Sequence, residues 1–367
     1  MTDLQLAISF STVCGCLRIG NDTRAKLLLE AGGIGRIMGY LESCADQPEA
    51  LIRGLKEEAD RQSRRAYPDF WEAVTLADAG YPERLRHISL PPAILFVSGM
   101  NIAAINSPAV IAVIGSRRPS AYGIEVTKKL TAAIAARGVP VVSGGARGID
   151  ALAHRTALLK GGASFAVLGN GLGVTYPPEH KALFAEIENS GALITEFTPG
   201  TAPRRNYFPA RNRILAGLCD AVLVTEASGS SGTLITAGFA GDYGRDVLAV
   251  PGSILSGSSR SCHNLIRDGA ILVQDTDDIP YLPPAAFHKT IGSQKQAGRM
   301  FHPHHQLSSE DLLLLEALEN APRTLTGLAE VSGLERGRVL SLVASLTKRG
   351  LIRINRGLYT LRDRSSL

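Results

Sequence analysis

The 367-residue chain lacks several features that would settle its class at once. It has no apolar run near the roughly 20 residues that span a bilayer. Its start, MTDLQLAISF, carries Asp3 and no basic segment, so it does not read as a secretory signal. Five cysteines, odd in number and without paired spacing, give neither a disulfide framework nor a zinc site. A reduced, cytoplasmic setting is the simplest expectation. Charge is also nearly balanced, with 39 Lys and Arg against 34 Asp and Glu. Overall electrostatics therefore name no partner, and only local clustering can.

Apolar residues make up 45% of the chain, enough to bury a core, and its length implies two or three domains. Residues 1–65 read as a small helical module of helix-hairpin-helix or SAM-like size. RAKLLLEAGG closes on a glycine pair that suits a helix stop, and EALIRGLKEEADRQSRRA is a charged amphipathic helix. Residues 66–282 change rhythm. AVIAVIG, VPVVSG, SFAVLG, ALITEF, DAVLVTE and DVLAVPG are short runs apolar on both faces, alternating with helical patterns. That is the signature of a parallel sheet covered on both sides. The fold class expected is α/β, a Rossmann-like doubly wound sheet whose strand ends form the ligand crevice.

Residues 283–306 read as a linker, with prolines and no acids. Its His302, His304 and His305 have no Cys or carboxylate beside them, so no metal is expected there. In 307–367, three helical patterns precede LIRINRGLYTL, which reads as a hairpin turning at Arg356-Gly357. The expectation is a C-terminal winged helix-turn-helix domain that binds duplex DNA, binds protein or only packs.

Four motifs gather at the expected strand ends. VIGSRRPSAYG brings Gly115 and Ser116 to a helix start, with Arg117 and Arg118 as phosphate-matching forks. It is neither GxGxxG nor a Walker loop. SGGARGIDALAH ends a strand at Ser143-Gly144 and supplies Arg147. Its Asp150 and His154, four apart, fit a loop-fixing role better than acid/base chemistry. Gly169, Gly171 and Gly173 of VLGNGLGVTYPP would let a backbone approach a ligand closely. TEASGSSGTLITA places Ser231, Gly232 and Thr233 at another helix start, a second anion cradle.

The most telling stretch is TAPRRNYFPARNR, residues 201–213. It has four arginines, two aromatics and no carboxylate. Arginines interleaved with aromatics suit a single nucleic-acid strand. The charges follow the backbone, and Phe208 or Tyr207 stacks on bases. The candidate site is therefore Gly115, Ser116, Arg117, Ser143, Gly144, Arg147, Phe208, Arg211, Asn212, Arg213, Ser231, Gly232 and Thr233. One alternative is a nucleotide hydrolase or phosphoribohydrolase in the same crevice, with Glu196 and Glu226 as its carboxylates. Another is a winged-helix transcription factor with a ligand-sensing α/β domain.

Over about residues 81–275 the chain resembles the DNA-processing protein A (DprA/Smf) family. The resemblance rests on GSRRPSAYG, SGGARGIDALAH, VLGNGLGVTYPPEHKAL, FPARNRILAGL, VTEASGSSGTLITA, GRDVLAVPGS and LIRDGA in the family's order. It implies a Rossmann-like domain that binds single-stranded DNA without base preference. It implies a homodimer that places a RecA-type recombinase on incoming strands in natural transformation. Neither catalysis nor a cofactor is implied. It assigns the strand pocket to residues matching Arg117, Ser143, Gly144, Arg147, Arg211 and Arg213. Two departures stand out. His180 replaces a usual asparagine, and Ser259–His263 lacks the glycine of a Ser-x-Gly-x-Asn element.

Overall fold

The computed structural model describes residues 1–44, 48–229, 232–283, 309–320, 323–348, 352–355 and 358–361. Contacts divide the chain into two compact units, Met1–His288 and Lys289–Leu367. The expected linker, Pro283 apart, and its three histidines lie outside the described residues.

The first unit opens with helices α1 (Asp3–Cys16), α2 (Asn21–Ala31), α3 (Ile37–Ser43) and α4 (Glu49–Ser63). Thr2 and Gln5 form a capping box at the start of α1. Gly32, left-handed at φ 73°, ends α2 where the glycine pair implied a stop. The chain then enters β1 (Trp71–Thr75), short helix α5 (Glu83–Arg86) and β2 (Ile94–Ser98). Strands and helices alternate from there: β3 (Ile111–Gly115), α6 (Ala121–Ala136), β4 (Val141–Ser143), α7 (Ile149–Leu159), β5 (Ser164–Val167), α8 (Lys181–Ser190), β6 (Ala192–Thr195), α9 (Tyr207–Gly217), β7 (Ala221–Glu226), α10 (Gly232–Asp242), β8 (Asp246–Ala249), α11 (Arg260–Arg267) and β9 (Ile271–Leu272).

Together the strands form a nine-stranded sheet in the order β1-β2-β6-β5-β4-β3-β7-β8-β9. From β6 to β9 neighbours are parallel, whereas β1–β2 and β2–β6 are antiparallel. All six apolar runs became strands of this sheet. Alternation along them builds two cores. Ala112, Ile114, Val222 and Val224 face one cluster, and Ile111, Val113, Ala221 and Leu223 face the other. The second cluster takes Leu130 and Ile134 of α6 and Ala153 and Ala157 of α7. The first takes α8, α9 and the N-terminal helices, so Phe10, Leu28 and Leu55 share one core with Phe96 and Phe165. The helices of residues 1–65 thus share the core on one side of the sheet.

Strand order reverses about β3. The chain runs from β3 through β4 and β5 to β6 on one side, then returns to β7 on the other. In open α/β sheets this is where a crevice opens at the carboxyl ends.

The second unit contains α12 (Ser309–Asn320), α13 (Leu325–Ser332), α14 (Arg336–Lys348) and an antiparallel pair, β10 (Ile352–Asn355) with β11 (Leu358–Leu361). Leu314, Leu318, Leu328, Val339, Val343, Leu346 and Ile352 form its own core. Thr324 caps α13, and left-handed Gly333 ends it. Among the described residues, no helix is long and apolar enough to cross a membrane.

Candidate nucleic-acid interface

The crevice holds a groove of about 670 Å³ and an adjoining small pocket of about 40 Å³. Arg117, Ala146, Tyr176, Phe208 and Arg211 line both. The groove wall is a stripe of α9. Phe208, Arg211, Asn212 and Leu215 follow the i, i+3, i+4, i+7 spacing that puts side chains on one helix face. The loop after β3, and Gly232 and Thr233 at the start of α10, also line the groove.

Phe208 is the cavity aromatic. Its ring lies 5.5 Å from Tyr176, tilted by 42°. Tyr207 turns away and stacks on Phe197, at 4.2 Å and 23°. Helical phase thus puts Phe208 at the groove and Tyr207 against Phe197. Gly169 explains how Phe208 fits. A Cβ there would lie 2.7 Å from the ring, so this glycine makes room for Phe208 while it also lines the small pocket. Gly171 likewise packs on the backbone at Thr198, and Gly173 against Trp71.

Arg117 is exposed and has no ion-pair partner among the described residues. Arg205 is also exposed and lines the groove. Arg147 lines the small pocket but is paired with Glu179. This pairing holds the Glu179 carboxyl below its ordinary range and the guanidinium above its own.

Four of the expected residues are engaged within the fold. Arg211 does not offer its charge to solvent. It is 5% exposed, and its Nη1 donates to the carbonyls of Gly144 and Val167. Burial lowers its pKa to about 10, while buried Asp150 nearby opposes that shift. Arg211 therefore ties the loop after β4 to the end of β5. Arg213 leaves the groove altogether and pairs with Glu196 behind α9. Ser143 is fully buried and donates to the Val113 carbonyl at 2.7 Å, joining β4 to β3. The Ser116 amide already donates to the Glu226 carbonyl at 2.8 Å, so it is not a free phosphate donor.

The remaining candidates gather at the crevice. The Gly115 carbonyl accepts the Thr233 hydroxyl at 3.4 Å. Asn212 accepts from Arg211 Nε and donates to the Gly232 carbonyl, both at 3.2 Å. Gly144 lines the small pocket. Ser231 lies outside the described residues.

The charged residues of the enzymatic alternative have other work. Glu226 is 1% exposed and accepts from the Ser120 amide at 2.9 Å and from its hydroxyl, at the start of α6. Asp150 and His154 do not pair. Asp150 accepts the Ala146 amide at 3.3 Å and fixes the glycine turn. His154 shares a hydrogen bond with Ser164 at 2.8 Å, and burial holds its pKa down at about 3. His180 takes a structural place too, with Nδ1 3.0 Å from the Gly145 carbonyl. Among the described residues no cluster of His, Cys, Asp and Glu could hold a metal.

Sequence reasoning missed Tyr176, which is 40% exposed opposite Phe208. The two are 32 positions apart, and no local pattern connects them. Arg205 was noted only as part of a charge run.

The profile of the family described as DNA recombination-mediator protein A matches residues 72–282. DNA processing protein DprA of Streptococcus pneumoniae is 44% identical over 263 residues, 72% of this chain and 89% of that protein. Protein Smf of Escherichia coli is 44% identical over 200 residues, 54% of this chain and 53% of that protein. Among solved structures, S. pneumoniae DNA processing protein A aligns with a TM-score of 0.60 at 36% identity, covering 75% of this chain and 94% of the other. DNA processing protein A from Helicobacter pylori, described for its single-stranded DNA binding mode, aligns with a TM-score of 0.52 at 26% identity, covering 57% and 93%. With the profile matched over more than half its length, this chain belongs to the DNA recombination-mediator protein A family.

Proposed function

We propose that this protein binds single-stranded DNA without base preference and passes it to a RecA-type recombinase during natural transformation. It does so in the cytoplasm, as a homodimer and without catalysis. The observation that carries the reading is the placement of Arg117 and Phe208 on both cavities. An unpaired guanidinium and an aromatic ring then meet at one groove, which is what a flexible strand requires. Phosphates run along Arg117 and Arg205, while bases stack on Phe208 with Tyr176 beside it. Gly115, Ser116, Gly144, Asn212, Gly232 and Thr233 shape the floor, with Arg147 at the edge. The H. pylori relative's single-stranded DNA binding supports the ligand class. The family's description as a recombination mediator supports the partner.

The second unit acts as a winged helix-turn-helix domain in this proposal. Its three helices and antiparallel strand pair support that reading. The enzymatic alternative gains nothing from the site, because Glu226 and Glu196 are committed to Ser120 and Arg213.

The test is titration of fluorescent oligo-dT against duplex of equal length at two salt concentrations. Preference for the single strand, weakened by salt, is expected. Equal binding of duplex, or no binding, overturns the proposal. Recombinase ATPase on the bound strand tests the transfer step, and sedimentation of the free protein tests the dimer.

A further inference from the structure

Arg213 lies two positions beyond Arg211 in the same arginine-rich run, yet it is out of reach of the groove. Its side chain is 13% exposed, and Nη2 donates to Glu196, just past the end of β6. Nη1 is buried without a hydrogen-bond partner. The neighbouring residue, Phe197, stacks on Tyr207 at the start of the same helix. Two consecutive residues of one loop thus grip α9 at its first residue and again near its middle. No side chain caps the start of α9, so packing must fix its rotation.

That rotation matters because successive helix positions are about 100° apart. A roll by one residue would exchange Phe208 for Tyr207 at the groove. Moving Arg213 outward to a phosphate would strand Glu196 in a half-dry site. Burial already pushes this carboxyl up, against the pull of Arg213.

We propose that Glu196 and Phe197 form a clasp that sets the roll of α9, and that Arg213 serves strand binding as a positioning residue that aims Phe208, not as a phosphate contact. This rests on the strand-binding reading above.

The experiment compares Glu196→Gln, Arg213→Lys and the double variant Glu196→Gln/Arg213→Gln with the parent. The double variant leaves no lone buried charge and keeps the net charge, so it guards against simple failure to fold. Oligo-dT carrying one 2-aminopurine is titrated across a salt series, and amide hydrogen exchange is followed over residues 207–217 without DNA. The double variant should bind about tenfold more weakly, with less 2-aminopurine quenching and an unchanged slope of log K against log salt. Arg213→Lys should recover much of the affinity. Faster exchange in α9 is expected for Glu196→Gln and the double variant. A salt slope lowered by about 0.7 would make Arg213 a phosphate contact and overturn the inference. Unchanged exchange together with unchanged quenching would overturn it as well. If the parent itself does not bind oligo-dT, the strand-binding reading falls, and exchange alone still decides whether the clasp holds α9.

Discussion

Replacing Arg211 with alanine should damage the fold first and strand binding only as a consequence. In the structure Arg211 bridges the Gly144 and Val167 carbonyls and stands beside buried Asp150. The substitution leaves two carbonyls without this donor and one carboxyl without its cation. Removing the donor of two buried carbonyls, with a buried carboxyl nearby, costs about 3–5 kcal/mol. Unfolding entropy near 2.1 cal/mol/K per residue amounts to about 0.6 kcal/mol/K for the Met1–His288 unit. The melting temperature should therefore fall by about 5–8 °C. The deficit should also depend on pH. Burial raises the Asp150 pKa above its ordinary 3.8, and loss of Arg211 raises it further. Such a carboxyl stabilises the fold below its unfolded pKa and loses that contribution as pH rises through its folded pKa. The variant should thus lag further behind the parent at about pH 8 than at about pH 5. Thermal unfolding followed by circular dichroism at both pH values measures this. A variant that melts with the parent while binding oligo-dT with a reduced salt slope would refute the reasoning and return Arg211 to the phosphate contacts.

Arg117→Ala should do the reverse, leaving the melting temperature within about 1 °C and lowering the slope of log K against log salt by about 0.7 in oligo-dT titrations. If Arg117 and Arg205 are two such contacts, raising salt from about 50 to 200 mM weakens the parent about sevenfold and the variant two- to threefold. Gly169→Ala should act through Phe208, since the new Cβ meets its ring at 2.7 Å. Binding and 2-aminopurine quenching should fall with the salt slope intact. Gly148→Ala should destabilise the fold, because Gly148 sits at φ 80° and a Cβ there would collide with the Ser116 carbonyl. A lower midpoint in urea denaturation checks this.

The parallel part of the sheet was legible because strands buried on both faces leave apolar runs with clear ends. β1 and β2 were not read. WEAVT alternates weakly, and its pairing with ILFVS is antiparallel across an 18-residue gap that contains α5. β9 is two residues long and carries no pattern. At the site, residue types were readable but their directions were not. A run of four arginines says nothing of helical phase, and phase separates Arg211, inside the wall, from Arg213, behind it. The stripe Phe208, Arg211, Asn212, Leu215 was present in the sequence as a helical spacing. It would have singled out Phe208 over Tyr207 once Leu215 was taken as facing the same way. The partnership of Tyr176 with Phe208 depends on how two loops after different strands converge, which no spacing encodes.

The shared core of the N-terminal helices and the sheet bears on genetic experiments. A truncation that removes the first four helices would open the core they share with the sheet and leave apolar surface exposed to aggregation. A binding defect in such a variant would report misfolding, so the purpose of those helices has to be sought with point changes on their outward faces.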